Sequence, residues 1–506
     1  MWVAVLMVSF LVIYCTQWFY RWRTPGAKGN GVLPPGSMGL PFLGETLSLL
    51  IPSYSLDLHP FVRKRIQRYG PIFRTSFIGR RVVVSADPEI NSYLFSQEGK
   101  LVELWYLDTF NKLLSLEGEN RITGPGLIHK YMRSSLRNHL SPEALKEKLP
   151  QLVAWIDKTL LHWCTKPSVE IKHAVSAMVL EFTARFLCGY DVDKAPVDIS
   201  EKIATLTKGL TSLPLNIPGT AFHKCLKDQE KVITMITNML KERRAKEAEE
   251  EKEEDFLDQA IKDLRTENYL TEDFIVRLLY GFLFASFESI GTVMCLGFKL
   301  LAEHPEVMEE LAAEHEAILK NRADSDSSLT WEDYKSLTFT PHRRDREEEA
   351  IGEVEGEVGL GLLRGEGEGR DLGVVSEILR LTNNPPGLLR RAIKDIEIKG
   401  YTIPADWTIM VVNSTLHLDP VMYKDPLAFN PWRWKDLDSY TVAKNFTPFG
   451  GGSRQCAGAE YSKVVLATFL HVVVSKYRWT IIKGGRIARR PLIAFGDGIH
   501  IRFSQK

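Results

Sequence analysis

The sequence predicts a mainly α-helical protein with a minor β-sheet region, a single large domain behind an N-terminal transmembrane helix. Three observations carry this. A charge-free, largely apolar run opens the chain from Trp2 to Tyr20. Helical periodicity dominates from about residue 141 to 310. Strand-like runs are few and short: Ile72–Phe77, Arg81–Ser85, Ile396–Ile398 and Trp407–Val412.

Taken in order, the 19 residues from Trp2 to Tyr20 rise about 1.5 Å each and nearly match a hydrocarbon core of roughly 30 Å. Arg21, Arg23 and Lys28 follow the run and no basic residue precedes it. That bias keeps the rest of the chain cytosolic, whereas a removed signal peptide would carry its charge in front. Residues 2–20 are therefore read as an anchor and 21–45 as a hinge, stiffened by Leu33-Pro34-Pro35-Gly36 and Gly39-Leu40-Pro41. Residues 46–506 form the domain. Ile72–Phe77 and Arg81–Ser85 flank Gly79 as a β-hairpin. The Lys/Glu-rich run Lys241–Asp255 reads as a solvated helix end or linker. Thr271 caps a long apolar helix, with Glu272 and Asp273 in its first turn and His304-Pro305 as its stop. A last helix runs from about Gly458 to Tyr477. The exception is 341–373, crowded with Glu, Gly and Arg. It offers too little apolar surface to order itself and reads as a disordered insertion; translated non-coding sequence would look the same.

Composition excludes several classes. The chain has 506 residues, 44% of them hydrophobic, enough for a large core. With 64 basic against 64 acidic residues and no basic cluster interleaved with aromatics, nothing points to nucleic acid. Six cysteines, none in a CxxC pair, are far too few for a disulfide scaffold and suit a reducing compartment. Twelve histidines include no HExxH pattern and no zinc spacing.

One segment carries chemistry: Phe449-Gly450-Gly451-Gly452-Ser453-Arg454-Gln455-Cys456-Ala457-Gly458. Its glycines let backbone approach a flat ligand, and Arg454 can pair with an acid on that ligand. Cys456 precedes a helix N-terminus, which favours thiolate over thiol, and Gly458 would let that helix pack tightly. A phosphate loop would need GK[ST] and a preceding βαβ strand. A cysteine nucleophile would need a histidine partner that the sequence does not place.

The segment resembles the haem-binding loop of the cytochrome P-450 superfamily, FxxGxRxCxG, with every fixed position matched. The resemblance makes Cys456 the axial thiolate ligand of haem iron, with Phe449, Gly450, Arg454 and Gly458 also against the haem. Other motifs follow in the family's order. Glu377-Ile378-Leu379-Arg380 matches ExxR, and Arg433 in Phe429-Asn430-Pro431-Trp432-Arg433 joins that pair; these three are structural. Standing alone, an i,i+3 Glu/Arg pair is a commonplace helix contact. His129 and Arg133 occupy the family's WxxxR and imply propionate contacts. Arg390 implies another, although its neighbour Arg391 could serve instead. On the long helix, Ala285-Ser286-Phe287-Glu288-Ser289 resembles [A/G]Gx[D/E][T/S], which makes Glu288 and Ser289 the catalytic proton-delivering pair. Ser286 and Ser289 depart from the usual Gly and Thr, and a helix serine can equally bond back to its i−4 carbonyl. Leu213–Phe222 looks like a segment of plant enzymes that oxidise sterols, brassinosteroids and triterpenoids; otherwise it is a Pro-terminated interhelix loop.

The resemblance implies a haem-thiolate monooxygenase in the endoplasmic reticulum membrane. It would use O2, an apolar small-molecule substrate and electrons from an NADPH-cytochrome reductase docked near Lys130, Arg137 and Lys463. Two rivals remain open at this stage: a haem-thiolate isomerase or dehydratase needing no reductase, and a catalytically impaired splice or gene-model product.

Overall fold

The computed structural model describes residues 2–23, 25, 31–106, 109–110, 113, 126–210, 212, 214–246, 255–320, 329–337, 373–435, 437–490 and 492–506. The first helix, Trp2–Arg23, takes in the first three of the residues assigned above to the hinge. Its side chains from Met7 to Tyr20 are exposed. The hinge docks on the domain: the Glu45 amide donates to the Ser76 carbonyl at 2.8 Å, and Trp18 packs on Phe42 with ring centroids 5.5 Å apart.

Ile72–Phe77 and Arg80–Ser85 pair antiparallel, one residue longer than the sequence signal. They turn through Ile78 and Gly79 at positive φ. They begin a five-stranded sheet that continues through Thr408–Val411, Leu388–Ala392 and Val102–Leu104. Helices make the rest. Glu272–Glu303 runs through the centre of the molecule, with Thr271 Oγ1 accepting from the Phe274 amide at 3.2 Å. It is apolar enough to cross a membrane, but its residues belong to the two largest buried clusters. It packs so closely on Ile171–Cys188 that a Cβ on Gly291 would lie 1.9 Å from Ser176 Oγ. The last helix, Ala459–Lys476, is buried along most of its length.

Lys241–Asp255 divides: Ala221–Lys246 is helical, Asp255 caps Phe256–Thr266, and 247–254 lie outside the described residues. So do 341–372. Gly373 does not belong with them, because it already opens the buried helix Gly373–Thr382.

Candidate active site

Glu377 and Arg380 sit one turn apart on Gly373–Thr382, both side chains 0% exposed. Arg380 grips the carboxylate bidentately, Nε to Oε2 at 2.9 Å and Nη2 to Oε1 at 2.7 Å. Arg433 Nε donates to Oε1 at 3.0 Å, Trp434 Nε1 to Oε2 at 3.0 Å and the Asn430 amide to Oε1 at 3.1 Å. Arg380 Nη1 donates to the carbonyls of His417 and Pro426 at 2.8 and 2.7 Å. Burial pushes the His417 pKa down to about 3, so its ring is neutral. His417 Nε2 accepts from the Thr447 amide at 3.1 Å, which assigns the proton to Nδ1, 2.7 Å from Asn383 Oδ1. This chain ties the carboxylate cluster to the start of the cysteine loop.

Two expectations about that loop need correction. Gly451 and Gly452 serve protein packing: a Cβ on Gly452, at φ +67, would meet the Phe95 carbonyl at 2.3 Å, and one on Gly451 the Phe95 ring at 3.1 Å. Gly458 does not serve helix packing, since a Cβ there would meet nothing within 4 Å. What Gly458 contributes is an amide hydrogen bond to the Cys456 sulfur. The Cys456 amide donates to the Phe449 carbonyl at 2.9 Å and closes the loop.

The helix end does not by itself make Cys456 a thiolate. Burial is the largest influence and pushes the thiol up, while the Gly458 amide and Arg133 pull it down. Cys456 nonetheless has an exposed side. A metal cation on that side would deprotonate it outright.

Cations converge here. Arg390 Nε lies 3.0 Å from Glu98 Oε2, and Arg454 Nε donates to Glu98 Oε1 at 3.0 Å. The three side chains are only 3%, 4% and 6% exposed for Arg390, Arg454 and Glu98. Successive side chains on a strand point to opposite faces, so Arg391 turns away and donates to Glu103 at 2.7 Å. Arg390 is thus the arginine of the cluster. Arg133 Nη1 donates to the Gln455 carbonyl at 2.7 Å. Burial first, then Arg454 and Arg133, push the His129 pKa to about 4, leaving a neutral imidazole. Tyr106 shares these surroundings: burial raises its pKa, and Arg390, Arg454, Cys456 and Glu98 all act on it.

On the long helix, Ala285 and Ser289, one turn apart, are exposed while most neighbours are buried. Ser289 Oγ donates to the Ala285 carbonyl at 2.6 Å and Ser286 Oγ to that of Leu283 at 2.9 Å. Glu288 is engaged elsewhere, with Lys172 Nζ 2.9 Å from Oε1 and Thr207 Oγ1 2.9 Å from Oε2. Sequence reasoning missed Glu98, Lys172, Thr207, His417 and Trp434; each acts through a tertiary contact that no local pattern signals. Lys130 and Arg137 are exposed on one helix, and Lys463 is half-buried beside Glu460.

An exposed sulfur, a neighbouring glycine whose Cβ position is clear, and buried arginines in excess of carboxylate fit a flat, dianionic, metal-bearing ligand. These are the features of a haem-thiolate oxidoreductase. A sequence model of the cytochrome P450 family matches residues 34–342 and 373–492, and the chain belongs to that family. Its cofactor is haem with an axial cysteine thiolate, and it is a monooxygenase. The match breaks over 343–372, within the segment that composition sets apart. The chain is 49% identical over 508 aligned positions to the β-amyrin 16α-hydroxylase of Maesa lanceolata, covering 100% of both chains. It is equally similar, 49% over 508 positions and 100% of both, to the cucurbitadienol 11-hydroxylase of Siraitia grosvenorii. A retinoic-acid-bound cyanobacterial cytochrome P450 has the same fold, with a TM-score of 0.75 at 23% identity, over 94% of this chain and 100% of that one.

Proposed function

We propose that this protein hydroxylates a plant triterpenoid or closely related sterol-like substrate. The full-length 49% identity to hydroxylases of β-amyrin and cucurbitadienol carries this reading. When bound, haem supplies the dioxygen activation. Cys456 provides the sulfur ligand, and Phe449, Gly450 and Gly458 shape its surroundings. Arg133, Arg390 and Arg454 receive the propionates, with neutral His129 as a hydrogen-bonding partner. Ser289 holds a proton at Oγ on an exposed face of the long helix, and Glu288 resupplies it through water once Lys172 or Thr207 releases it. Glu377, Arg380 and Arg433 set the cysteine loop's height through His417 and Thr447.

The first helix fits a membrane anchor, and its exposed apolar side chains support insertion. Arg21 and Arg23 behind it support a cytosolic domain on the endoplasmic reticulum. Electrons then come from an NADPH-cytochrome reductase of that membrane, docking near Lys130 and Arg137, with Lys463 at the rim. The test is reconstitution with such a reductase, NADPH and a panel containing β-amyrin and cucurbitadienol. An NADPH-dependent product carrying one more oxygen is expected. Turnover without reductase, or no oxygenated product from triterpenes or sterols despite a normal carbon monoxide spectrum, defeats the reading.

A further inference from the structure

Glu98 belongs to no motif, yet it stands at the centre of the cation cluster. It lies just past the helix Pro88–Ser96, in a turn whose Glu98 and Val102 form a bridge. Its Oε1 accepts from the Leu104 amide at 2.9 Å as well as from Arg454. The carboxylate is therefore fixed by backbone before it meets either arginine. From there it joins three separate pieces of the fold. Arg390 comes from the sheet strand Leu388–Ala392, Arg454 from the cysteine loop, and Glu98 from the N-terminal side of the domain. Phe95, one turn earlier, reinforces the junction: its carbonyl presses on Gly452, and the Arg390 guanidinium lies 5.5 Å from its ring centroid.

We propose that Glu98 is a positioning residue for haem: it holds Arg390 and Arg454 at a fixed separation and trims the cluster's charge to match two propionates. The inference rests on the assignment of these arginines to the propionates. Two guanidinium groups buried side by side repel each other and lose hydration, and a shared carboxylate offsets both effects. Arg133, Arg390 and Arg454 against Glu98 leave two positive charges, equal and opposite to two ionised propionates. Without Glu98 the count would be three, Arg454 would lose its hydrogen bond at Nε and Arg390 its ion pair.

Two substitutions separate position from charge. Glu98→Asp keeps the charge and shortens the reach. Glu98→Gln keeps the reach and removes the charge, while its amide turns a donor toward one guanidinium. Haem loss is measured by transfer to an apomyoglobin trap, and the ferric/ferrous midpoint potential by spectroelectrochemistry on the full chain. Glu98→Asp and Glu98→Gln are expected to release haem about tenfold faster, the factor that corresponds to one pKa unit of interaction. Only Glu98→Gln should raise the potential, because reduction adds negative charge and an extra uncompensated cation favours it. Glu103→Gln, at the outward pair with Arg391, should match the wild type in both measurements. A wild-type release rate in Glu98→Asp, or a wild-type potential in Glu98→Gln, overturns the proposal. If Glu98→Gln gives no folded protein, the Glu98→Asp release rate decides alone. Arg390→Gln and Arg454→Gln test the underlying assignment: unaltered haem release in both would remove the propionate contacts themselves, whatever Glu98 does.

Discussion

The clusters around Glu377 and Glu98 are built from the same parts and differ in how much positive charge they leave. In each, one buried carboxylate receives two arginines, at least one of them from a distant segment. Glu377 collects five donors, and Arg380 and Arg433 turn their outer nitrogens to backbone carbonyls, including those of Pro426 and Lys424 at 2.7 Å. That cluster is complete within the chain. Around Glu98 a third arginine, Arg133, is added, leaving two positive charges over against one around Glu377. A cluster whose arginines end on backbone carbonyls holds structure; one with two surplus charges is shaped for an anion that the chain does not supply. A hydrogen-bonded path through His417 leads from the first cluster to Thr447, before the loop that carries Arg454.

The largest expected effect separates them most sharply. Cys456→Ser should abolish the thiolate signature in the carbon monoxide spectrum, since sulfur's electron donation is lost. The thermal midpoint of the haem-free chain should stay near that of the wild type, because neither cluster is touched. A thiolate spectrum surviving in Cys456→Ser would remove the ligand assignment.

Next in size is Glu377→Gln. Removing one partner from a buried ion pair costs about 3–5 kcal/mol, because the remaining charges lose their counterion. Two arginines are stranded here, so urea unfolding should show a loss at that scale in the haem-free chain. A change within 1 kcal/mol of the wild type, on the order of a surface substitution, would make this pair incidental.

Ser289→Ala lies outside both clusters and should leave haem content and unfolding unchanged. It removes the hydroxyl assigned to proton delivery, and general acid groups typically contribute 10²–10⁴-fold. Product formed per NADPH should fall by at least about tenfold, with the electrons recovered as peroxide. The 2.6 Å bond from Ser289 Oγ to the Ala285 carbonyl is the rival role, and unchanged coupling would favour it.

How much of this was legible in the sequence depends on the range of each contact. Thr271 as a cap, the hairpin at Gly79 and the stop at His304 are local, and all are present. The Glu377/Arg380 pair is local too, but its burial is not: Trp434 and His417 are remote residues with no pattern of their own. Glu98 meets Arg454 across 356 positions, and Lys172 meets Glu288 across 116. Spacing along a chain cannot report such pairings. The strands Leu388–Ala392 and Val102–Leu104 were missed because such short runs show little periodicity. The Gly458 error has the same root, since the room a glycine needs is set by neighbours brought in by the fold.

Acid provides a smaller perturbation that strikes both clusters together. His417 belongs to the Glu377 cluster and His129 to the cation cluster, with pKa values pushed down to about 3 and about 4 from 6.5. Their folded-state values are depressed, so the unfolded chain binds protons first as pH falls. Stability is therefore fully present above about 6.5 and declines as pH drops toward 4. The thermal midpoint should fall through that window in the wild type and fall less steeply in His129→Gln. Parallel profiles for the two proteins would place His129 in water-like surroundings.

The smallest expected effect concerns the segment beside the Glu377 cluster. The family match stops at 342 and resumes at 373, where the helix carrying Glu377 begins. Nine of that helix's ten residues are buried, so it has little freedom to adapt to a foreign lead-in. A long connection is itself inexpensive, as each doubling of loop length costs only about 0.6 kcal/mol. The cost is concentrated at the helix start, where a proper cap is worth roughly 1 kcal/mol. Deleting 342–372 and joining the ends with a few polar residues should therefore raise the thermal midpoint by roughly 2 °C and increase haem occupancy after expression. Haem release from the loaded protein should not change, because Glu98, Arg390 and Arg454 lie outside the altered connection. A lower midpoint in the deletion would show that the segment supports the Glu377 helix. A faster haem release would show that the two clusters are coupled more tightly than their separate charge balances imply.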